Sequence, residues 1–140
     1  MSKVTLAGSC LCGSVKYEIS GEPQRFYHCH CQRCRKATGT GHASNLLVTP
    51  LNSLRWLAGE ELLRRYNVPE AERFYNCFCS HCGGPMPRTV PALDAVLIPA
   101  GSLDSEPPMS PQARIFQGSR ATWSCSDEAL PLFDEYPPAS

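Results

Sequence analysis

The sequence contains nine cysteines in 140 residues, and eight of them fall into three short clusters. The clusters are Cys10-x-Cys12, Cys29-x-Cys31-x-x-Cys34 and Cys77-x-Cys79-x-x-Cys82, while Cys125 stands alone. An odd number of cysteines without an N-terminal export signal argues against a disulfide framework. In a reducing compartment, thiols at such spacings bind a metal more often than they bind each other. The clusters therefore predict metal binding.

The pair Cys79-x-x-Cys82 has the spacing with which one tight turn supplies two of the four ligands of a zinc ion. Glycines follow this pair, so the chain is free to turn around the ion. The segment Cys10-x-Cys12 can supply the other two ligands, because residues i and i+2 of an extended segment point to the same side. We therefore expect a closed structural zinc site that ties the N-terminal segment to the middle of the chain.

Cys29, Cys31 and Cys34 lie within six residues, so all three can bind a single metal ion. Three protein ligands with one open position are typical of a catalytic zinc. The alternative is a second structural site, completed by Cys77, Cys125 or a histidine. The spacing by itself leaves both possibilities open.

Short apolar segments between the clusters predict a mainly β protein. Residues 15–19 alternate between apolar and polar side chains, which predicts a half-buried strand, and residues 21–23 are expected to end it. Residues 45–48 predict a second strand, and residues 93–98 form another short apolar run. These strands are the elements that must position the cysteines.

Other segments are less regular. Residues 54–57 and 62–66 predict a pair of strands around a turn at Gly59, with a helix over residues 54–66 as the alternative. Residues 127–136 predict at most one helical turn, because Pro131 interrupts them. The frequent prolines after residue 91 favour an extended, turn-rich segment packed over a core.

The three cysteine clusters and the segments around them resemble the family of glutathione-dependent formaldehyde-activating enzymes, which also includes the centromere protein V domain. The resemblance rests on three motifs in order along the chain: Gly8 to Tyr17, Cys29 to Gly39, and Phe78 to Gly83. It continues through Leu54–Trp56, Gly59-Glu60, Pro99–Asp104 and Ile115 to Trp123. It thus covers nearly the whole chain, and the three motifs in this order are highly specific.

The resemblance implies a mainly β, Mss4-like fold of several small coiled β-sheets organised by zinc, in one domain spanning residues 1–140. It implies two zinc ions per chain: a structural ion bound by Cys10, Cys12, Cys79 and Cys82, and a second, catalytic ion bound by Cys29, Cys31 and Cys34. The family's activity is that of a carbon–sulfur lyase, which condenses formaldehyde with glutathione to S-hydroxymethylglutathione. Three residues depart from the family pattern. Cys77 and Cys125 are not part of the family's ligand set, and Arg114 stands where many relatives have histidine.

The chemistry of three thiolates suits this activity. Zinc with three thiolates carries a net charge of −1, so it activates water poorly but can bind a substrate thiol as its thiolate. Attack on an aldehyde carbon then needs orientation and a proton donor, for which His30 and His42 are candidates. Arg33, Arg35 and Lys36 are candidates for binding the carboxylates of glutathione, because basic side chains pair with carboxylates.

Length and charge limit the other possibilities. A chain of 140 residues suffices for one domain, and its 13 basic and 13 acidic side chains argue against general nucleic-acid binding. No apolar run approaches the length of a membrane span, so we expect a cytoplasmic protein without a membrane partner. The expected partner is a small thiol such as glutathione, and the sequence does not indicate an oligomeric state.

The main alternative to an enzyme is a non-catalytic two-zinc binding module. The two functions differ in the fourth ligand of the second zinc. A position open to solvent favours the enzyme, and a fourth protein thiol favours the module.

Overall fold

The computed structural model describes residues 3–124 and 129–138. It is mainly β, with one seven-residue α-helix, α1 (Gln32–Thr38), and several single 3-10 turns. The strands are β1 (Val4–Ser9), β2 (Lys16–Cys29), β3 (Ala43–Thr49), β4 (Leu54–Ala58), β5 (Leu63–Asn67), β6 (Tyr75–Cys79), β7 (Arg88–Val90), β8 (Ala95–Pro99) and β9 (Ala113–Ile115).

The long strand β2 belongs to two sheets. Its first part, from Lys16 to Gly21, lies between the antiparallel strands β1 and β4. Its second part, from Glu22 to Cys29, pairs with β3 on one side and with the parallel strand β9 on the other. The second sheet continues from β3 to β8 and β7, and a separate two-stranded sheet joins β5 and β6. This set of small coiled sheets is the mainly β, Mss4-like fold expected from the sequence.

The expectation that residues 21–23 end the first strand is wrong. β2 continues to Cys29, and its pairing with β3 shifts register between Pro23 and Arg25. Proline has no N–H to donate, and within a sheet it is therefore found at edges and bulges. A bulge bends a strand without ending it. Here it accompanies the passage of β2 from one sheet to the other, and Cys29 lies at the end of the strand.

The other predicted strands are present, with some differences in pairing. β3 confirms the strand predicted at residues 45–48, and residues 54–66 form two strands rather than a helix. The apolar run at residues 93–98 is only partly a strand, because Leu93 ends a 3-10 turn and β8 begins at Ala95. However, β4 pairs with β2 and β5 pairs with β6, so the two strands do not pair with each other. Residues 129–136 contain no helix, and the rest of the helical turn predicted at 127–136 lies outside the described residues.

The main core lies around β2 and β3. Tyr17, Ile19, Leu46 and Val48 are fully buried there, and the alternation of buried and exposed residues along the start of β2 confirms the half-buried strand. Cys10 and Cys79 belong to this main core, whereas Cys29 and Cys34 pack with Ala43 in a smaller one. The two cysteine groups thus pack against different cores.

In the described ranges, no helix has the length and apolar character needed to cross a membrane.

Candidate metal centre

Two similar turns bring the first four cysteines together. Cys10 follows β1, and its carbonyl accepts a hydrogen bond from Gly13 N–H at 3.0 Å. Cys79 ends β6, and its carbonyl accepts a hydrogen bond from Gly83 N–H at 2.7 Å. Both glycines have left-handed backbone angles, φ 79° and 75°, which side chains with a Cβ rarely adopt. The segment around Cys12 is therefore a tight turn, and the extended conformation that we expected for it is wrong.

The sulfur atoms of these two turns meet in one group, the four-cysteine cluster. All four lie within 4.8 Å of one another, and the group comprises Cys10, Cys12, Cys79 and Cys82. The Sγ–Sγ distance is 3.7 Å between Cys10 and Cys12, and 4.0 Å between Cys12 and Cys79. Tetrahedral zinc with bonds of about 2.3 Å requires ligand sulfurs about 3.8 Å apart. The cluster can therefore hold a metal ion, and its donor set and spacing fit zinc.

Backbone donors at the four-cysteine cluster favour the thiolate form of Cys82, whereas burial opposes the thiolate form of Cys79. Hydrogen bonds from the backbone of Cys12 and Gly84 are the main reason that the pKa of Cys82 falls to about 6. Burial raises the pKa of Cys79 to about 11. Val15 N–H also donates to Cys10 Sγ at 3.2 Å. Backbone donors aimed at sulfur are therefore already in place around the cluster.

The second group, the three-cysteine cluster, lies where β2 passes into α1. Cys29 ends the strand, Cys31 is the N-cap residue of the helix, and Cys34 lies in its first turn. Cys31 Sγ accepts a hydrogen bond from Cys34 N–H at 3.3 Å, so the capping contact holds the Cys31 sulfur at the start of the helix. The three sulfurs lie within 4.8 Å of one another, and this cluster can also hold a metal ion.

The three sulfurs differ in their affinity for protons. The hydrogen bond with the Cys34 side chain is the main reason that the pKa of Cys29 falls to about 6. The same hydrogen bond raises the pKa of Cys34 well above its usual value. The Cys34 thiol therefore stabilises the thiolate of Cys29. This favours metal binding, because cysteine binds a metal as the thiolate.

An open cleft of about 530 Å³ lies beside the three-cysteine cluster, and all three cysteines line it. Apolar walls come from Leu47, Leu97, Phe74 and Phe116. Within residues 3–124 and 129–138, no fourth cysteine, histidine, aspartate or glutamate joins the cluster. A metal ion bound by these three sulfurs would therefore have a free position for a ligand from the cleft.

The cleft is positively charged. Arg25, Arg33 and Arg88 line it, and none of its described lining residues is an aspartate or glutamate. Sequence reasoning missed Arg25 and Arg88, because neither belongs to one of the three cysteine clusters. Arg25 is four residues before Cys29, and Arg88 reaches the cleft only through the pairing of β7 with β8.

The predicted substrate residues occupy different places. Arg33 lines the cleft. Arg35 does not line it, and its Nη1 donates to the Ser119 carbonyl at 3.1 Å. Lys36 lines a neighbouring surface depression that also includes Arg33 and Glu70. The structure thus brings one of the three to the cysteines and leaves the other two nearby.

The candidate proton donors His30 and His42 do not line the cleft. Side chains alternate along a strand, so His28 points away from the face that carries Tyr27 and Cys29. His30 follows the end of β2 and is fully buried. The ring of His42 lies 4.2 Å from the ring of His28 and 5.1 Å from that of His30, measured between centroids. The expectation that these histidines face the reacting groups is therefore not met.

The additional residues outside the family pattern also have defined places. Cys77 is half-buried against the main core and lines a small cavity of about 40 Å³ together with Cys34, but it joins neither cysteine cluster. Burial raises the pKa of Cys77. Arg114 lies on β9 opposite His28, and after burial its charge is the main cause of the lowered pKa of that histidine. Cys125 lies outside the described residues.

These features define a class: a small β protein with one closed and one open thiol cluster. The model of the glutathione-dependent formaldehyde-activating enzyme family matches residues 5–119, which is most of the chain. The chain therefore belongs to this family, and the resemblance seen in its motifs is confirmed.

Two further comparisons agree. A Halomonas elongata protein named "Putative glutathione-dependent formaldehyde-activating enzyme" is 49% identical over 43 residues, a match that spans 29% of this chain and 27% of that protein. The crystal structure of a Rhodobacter sphaeroides protein has the same fold, with a TM-score of 0.60 and 21% identity over 78% of this chain and 99% of the other.

Proposed function

We propose that this protein is a zinc-dependent enzyme of the carbon–sulfur lyase type that joins a small thiol such as glutathione to formaldehyde. It would bind two zinc ions per chain, one in each cysteine cluster. The observation that carries the proposal is the three-cysteine cluster, whose sulfurs line an open cleft. Family membership supports the same chemistry.

The reaction needs a nucleophile and a proton. The substrate sulfur forms a bond to the aldehyde carbon, the π electrons of the carbonyl move to its oxygen, and that oxygen takes up a proton. No oxidant or reductant is required. A zinc ion held by three thiolates supplies, when bound, a position at which a thiol is kept as its thiolate.

The residues of the chain orient the substrate. Leu97, Phe74 and Phe116 give the cleft apolar surface against which a substrate can pack, while the arginines attract an anionic thiol to it. Tyr27 replaces the two histidines as the proposed proton donor, because it carries the one titratable hydroxyl among the described residues that line the cleft.

Arg33, Arg35 and Lys36 remain the proposed basic residues for the substrate carboxylates. Arg33 has the strongest support, because it lines the cleft beside the cysteines. Arg35 and Lys36 would act at the rim, where exposed charges steer a ligand more than they hold it.

Two broader proposals accompany this function. All eight described cysteines are free thiols, which supports a reducing, cytoplasmic location. The family match over residues 5–119 supports a single domain spanning 1–140. The binding partner would be the small thiol, with neither nucleic acid nor membrane involved.

The decisive experiment measures metal content and exchange in the same protein sample. Zinc is quantified per chain, and the interconversion of ¹³C-formaldehyde with its glutathione adduct is then followed by exchange NMR. We expect two zinc ions and an exchange rate that rises in proportion to protein concentration. Cys31→Ser should lose this acceleration, whereas the matched variant Cys77→Ser should keep it. Two zinc ions without acceleration would contradict the enzyme and favour the binding module.

A further inference from the structure

Arg88 is a guanidinium held inside the cleft wall. It begins β7, and its charge lies 4.4 Å from the ring centroid of Phe74 and 5.9 Å from that of Tyr75. Its Nη1 donates to the Tyr75 carbonyl. Burial lowers the pKa of Arg88, and the nearby thiols of the three-cysteine cluster act in the opposite direction. The side chain is thus fixed in position close to the cluster.

This half-buried charge lacks a carboxylate partner among residues 3–124 and 129–138, where the ion pair observed joins Arg55 to Glu18. Arginine has five N–H donors, and one nitrogen of Arg88 makes the bond to Tyr75. Its Nε and Nη2 make no hydrogen bond within the described residues, and Arg88 lines the cleft, so these donors are available to a ligand there.

Removing a charge from water is costly. The groups around the half-buried guanidinium of Arg88 are a backbone carbonyl, two aromatic rings and the thiols of the three-cysteine cluster, and none of them is a carboxylate. A ligand carboxylate in the cleft would offset this cost by forming two parallel hydrogen bonds with the guanidinium fork. Arg25 and Arg33 line the same cleft but are more exposed, so their charges are better screened by water. Packing against Phe74 also means that Arg88 loses little side-chain entropy when it binds.

We propose that Arg88 determines the specificity of the cleft by binding a carboxylate of the incoming thiol. This inference rests on the proposed function and identifies the substrate class as thiols that carry a carboxylate. Arg25 and Arg33 would assist by attracting the same anion to the cleft.

The test compares glutathione with glutathione diethyl ester, which keeps the thiol but has no carboxylate. Binding to the zinc-loaded protein is measured by calorimetry for the wild type, Arg88→Gln and Arg88→Lys. The matched control is Arg64→Gln, because Arg64 also donates from Nη1 to backbone carbonyls but lies exposed on β5, outside the cleft. Zinc content and melting temperature are recorded for every variant.

We expect the wild type to bind glutathione about tenfold or more tightly than the diester. In Arg88→Gln this ratio should fall toward one through weaker glutathione binding, while the affinity for the diester changes by less than about twofold. Arg88→Lys should lie between the two, since it keeps the charge and loses the fork. If Arg88→Gln does not fold, the ratio of the two affinities measured for Arg88→Lys tests the proposal instead. An unchanged ratio, or an equal loss for both ligands, would overturn the proposal.

S-methylglutathione separates this proposal from the proposed function, because it carries the carboxylates without a free thiol. Ligand-observed NMR should detect its binding to the wild type and a loss of binding in Arg88→Gln. If this difference appears while neither thiol binds, the thiol chemistry fails and the carboxylate site stands. If S-methylglutathione binds both proteins equally, or neither, the role of Arg88 is wrong.

Discussion

The two cysteine clusters use the same donor atom, and each contains a Cys-x-x-Cys pair, but the fold supports them differently. The four-cysteine cluster joins two turns that are 67 residues apart in sequence, and two of its members lie in the main core. The three-cysteine cluster comes from one continuous segment at the end of β2 and the start of α1, over a small separate core.

This difference separates stability from reactivity. A metal ion in the four-cysteine cluster would connect distant parts of the chain and leave no free position, so its binding free energy becomes folding free energy. A metal ion in the three-cysteine cluster would connect residues that are already neighbours, and it would face a cleft. We therefore expect loss of the first ion to unfold the protein and loss of the second to inactivate it.

The largest effect is expected for Cys82→Ser. A closed thiolate site supplies about 10 kcal/mol or more of folding free energy, so this variant should be insoluble or unfolded. Solubility, far-UV circular dichroism and zinc content check the prediction. A soluble Cys82→Ser protein that melts cooperatively with one zinc ion would show that the four-cysteine cluster is dispensable.

The corresponding change in the other cluster, Cys31→Ser, should leave the fold intact. The serine hydroxyl can replace Cys31 Sγ as acceptor for Cys34 N–H, so the helix cap is retained. One zinc ion should be lost, and exchange activity should fall by more than the roughly 10–100-fold that loss of a hydrogen-bond partner of a metal ligand costs. Cys31→Ala removes both the metal ligand and the helix-cap acceptor. Its free energy of unfolding should therefore be lower than that of Cys31→Ser by about 1 kcal/mol. Equal melting of the serine and alanine variants would contradict the capping role.

Alkaline pH should weaken the core that supports the four-cysteine cluster. Burial, opposed by a hydrogen bond with Ser102, raises the pKa of Tyr17 to about 12. Because the folded pKa exceeds the unfolded value near 10, the contribution of neutral Tyr17 is fully present below pH 10 and is lost as the pH rises through 12. The loss should reach roughly 2–3 kcal/mol.

Urea denaturation between pH 8 and 12 measures this loss, with Tyr17→Phe as the control. The phenylalanine variant loses the 2.6 Å contact with Ser102 at every pH, but it should show a flatter decline above pH 10. Parallel curves for the two proteins would rule out Tyr17 as the titrating group.

The smallest effect is expected for the double variant Cys77→Ser/Cys125→Ser. Seven cysteines suffice for one closed and one open site, so both zinc ions should remain, with at most a modest loss of stability from placing a hydroxyl at half-buried position 77. Metal analysis decides the matter. The disappearance of one zinc ion per chain would mean that a protein thiol closes the second site.

Much of the candidate site follows from local sequence. Spacing alone grouped Cys29 with Cys31 and Cys34, because three thiols within six residues reach one point in almost any compact conformation. The pairing of Cys79 and Cys82 follows in the same way from a tight turn. Alternation of side chains likewise predicted the first part of β2, since Tyr17 and Ile19 must face a core while Lys16 faces water.

Long-range contacts decided the rest. Sequence placed a strand end at Pro23, but pairing with β3 and β9 carries β2 on to Cys29, and His30, which follows that strand, is buried and does not line the cleft. Arg88 reaches the cysteines through the pairing of β7 with β8, which no local pattern encodes. Metal ligands close in sequence are thus predictable, because few backbone angles relate them. Residues that meet across sheets are not, because their proximity depends on register and on strands far away in the chain.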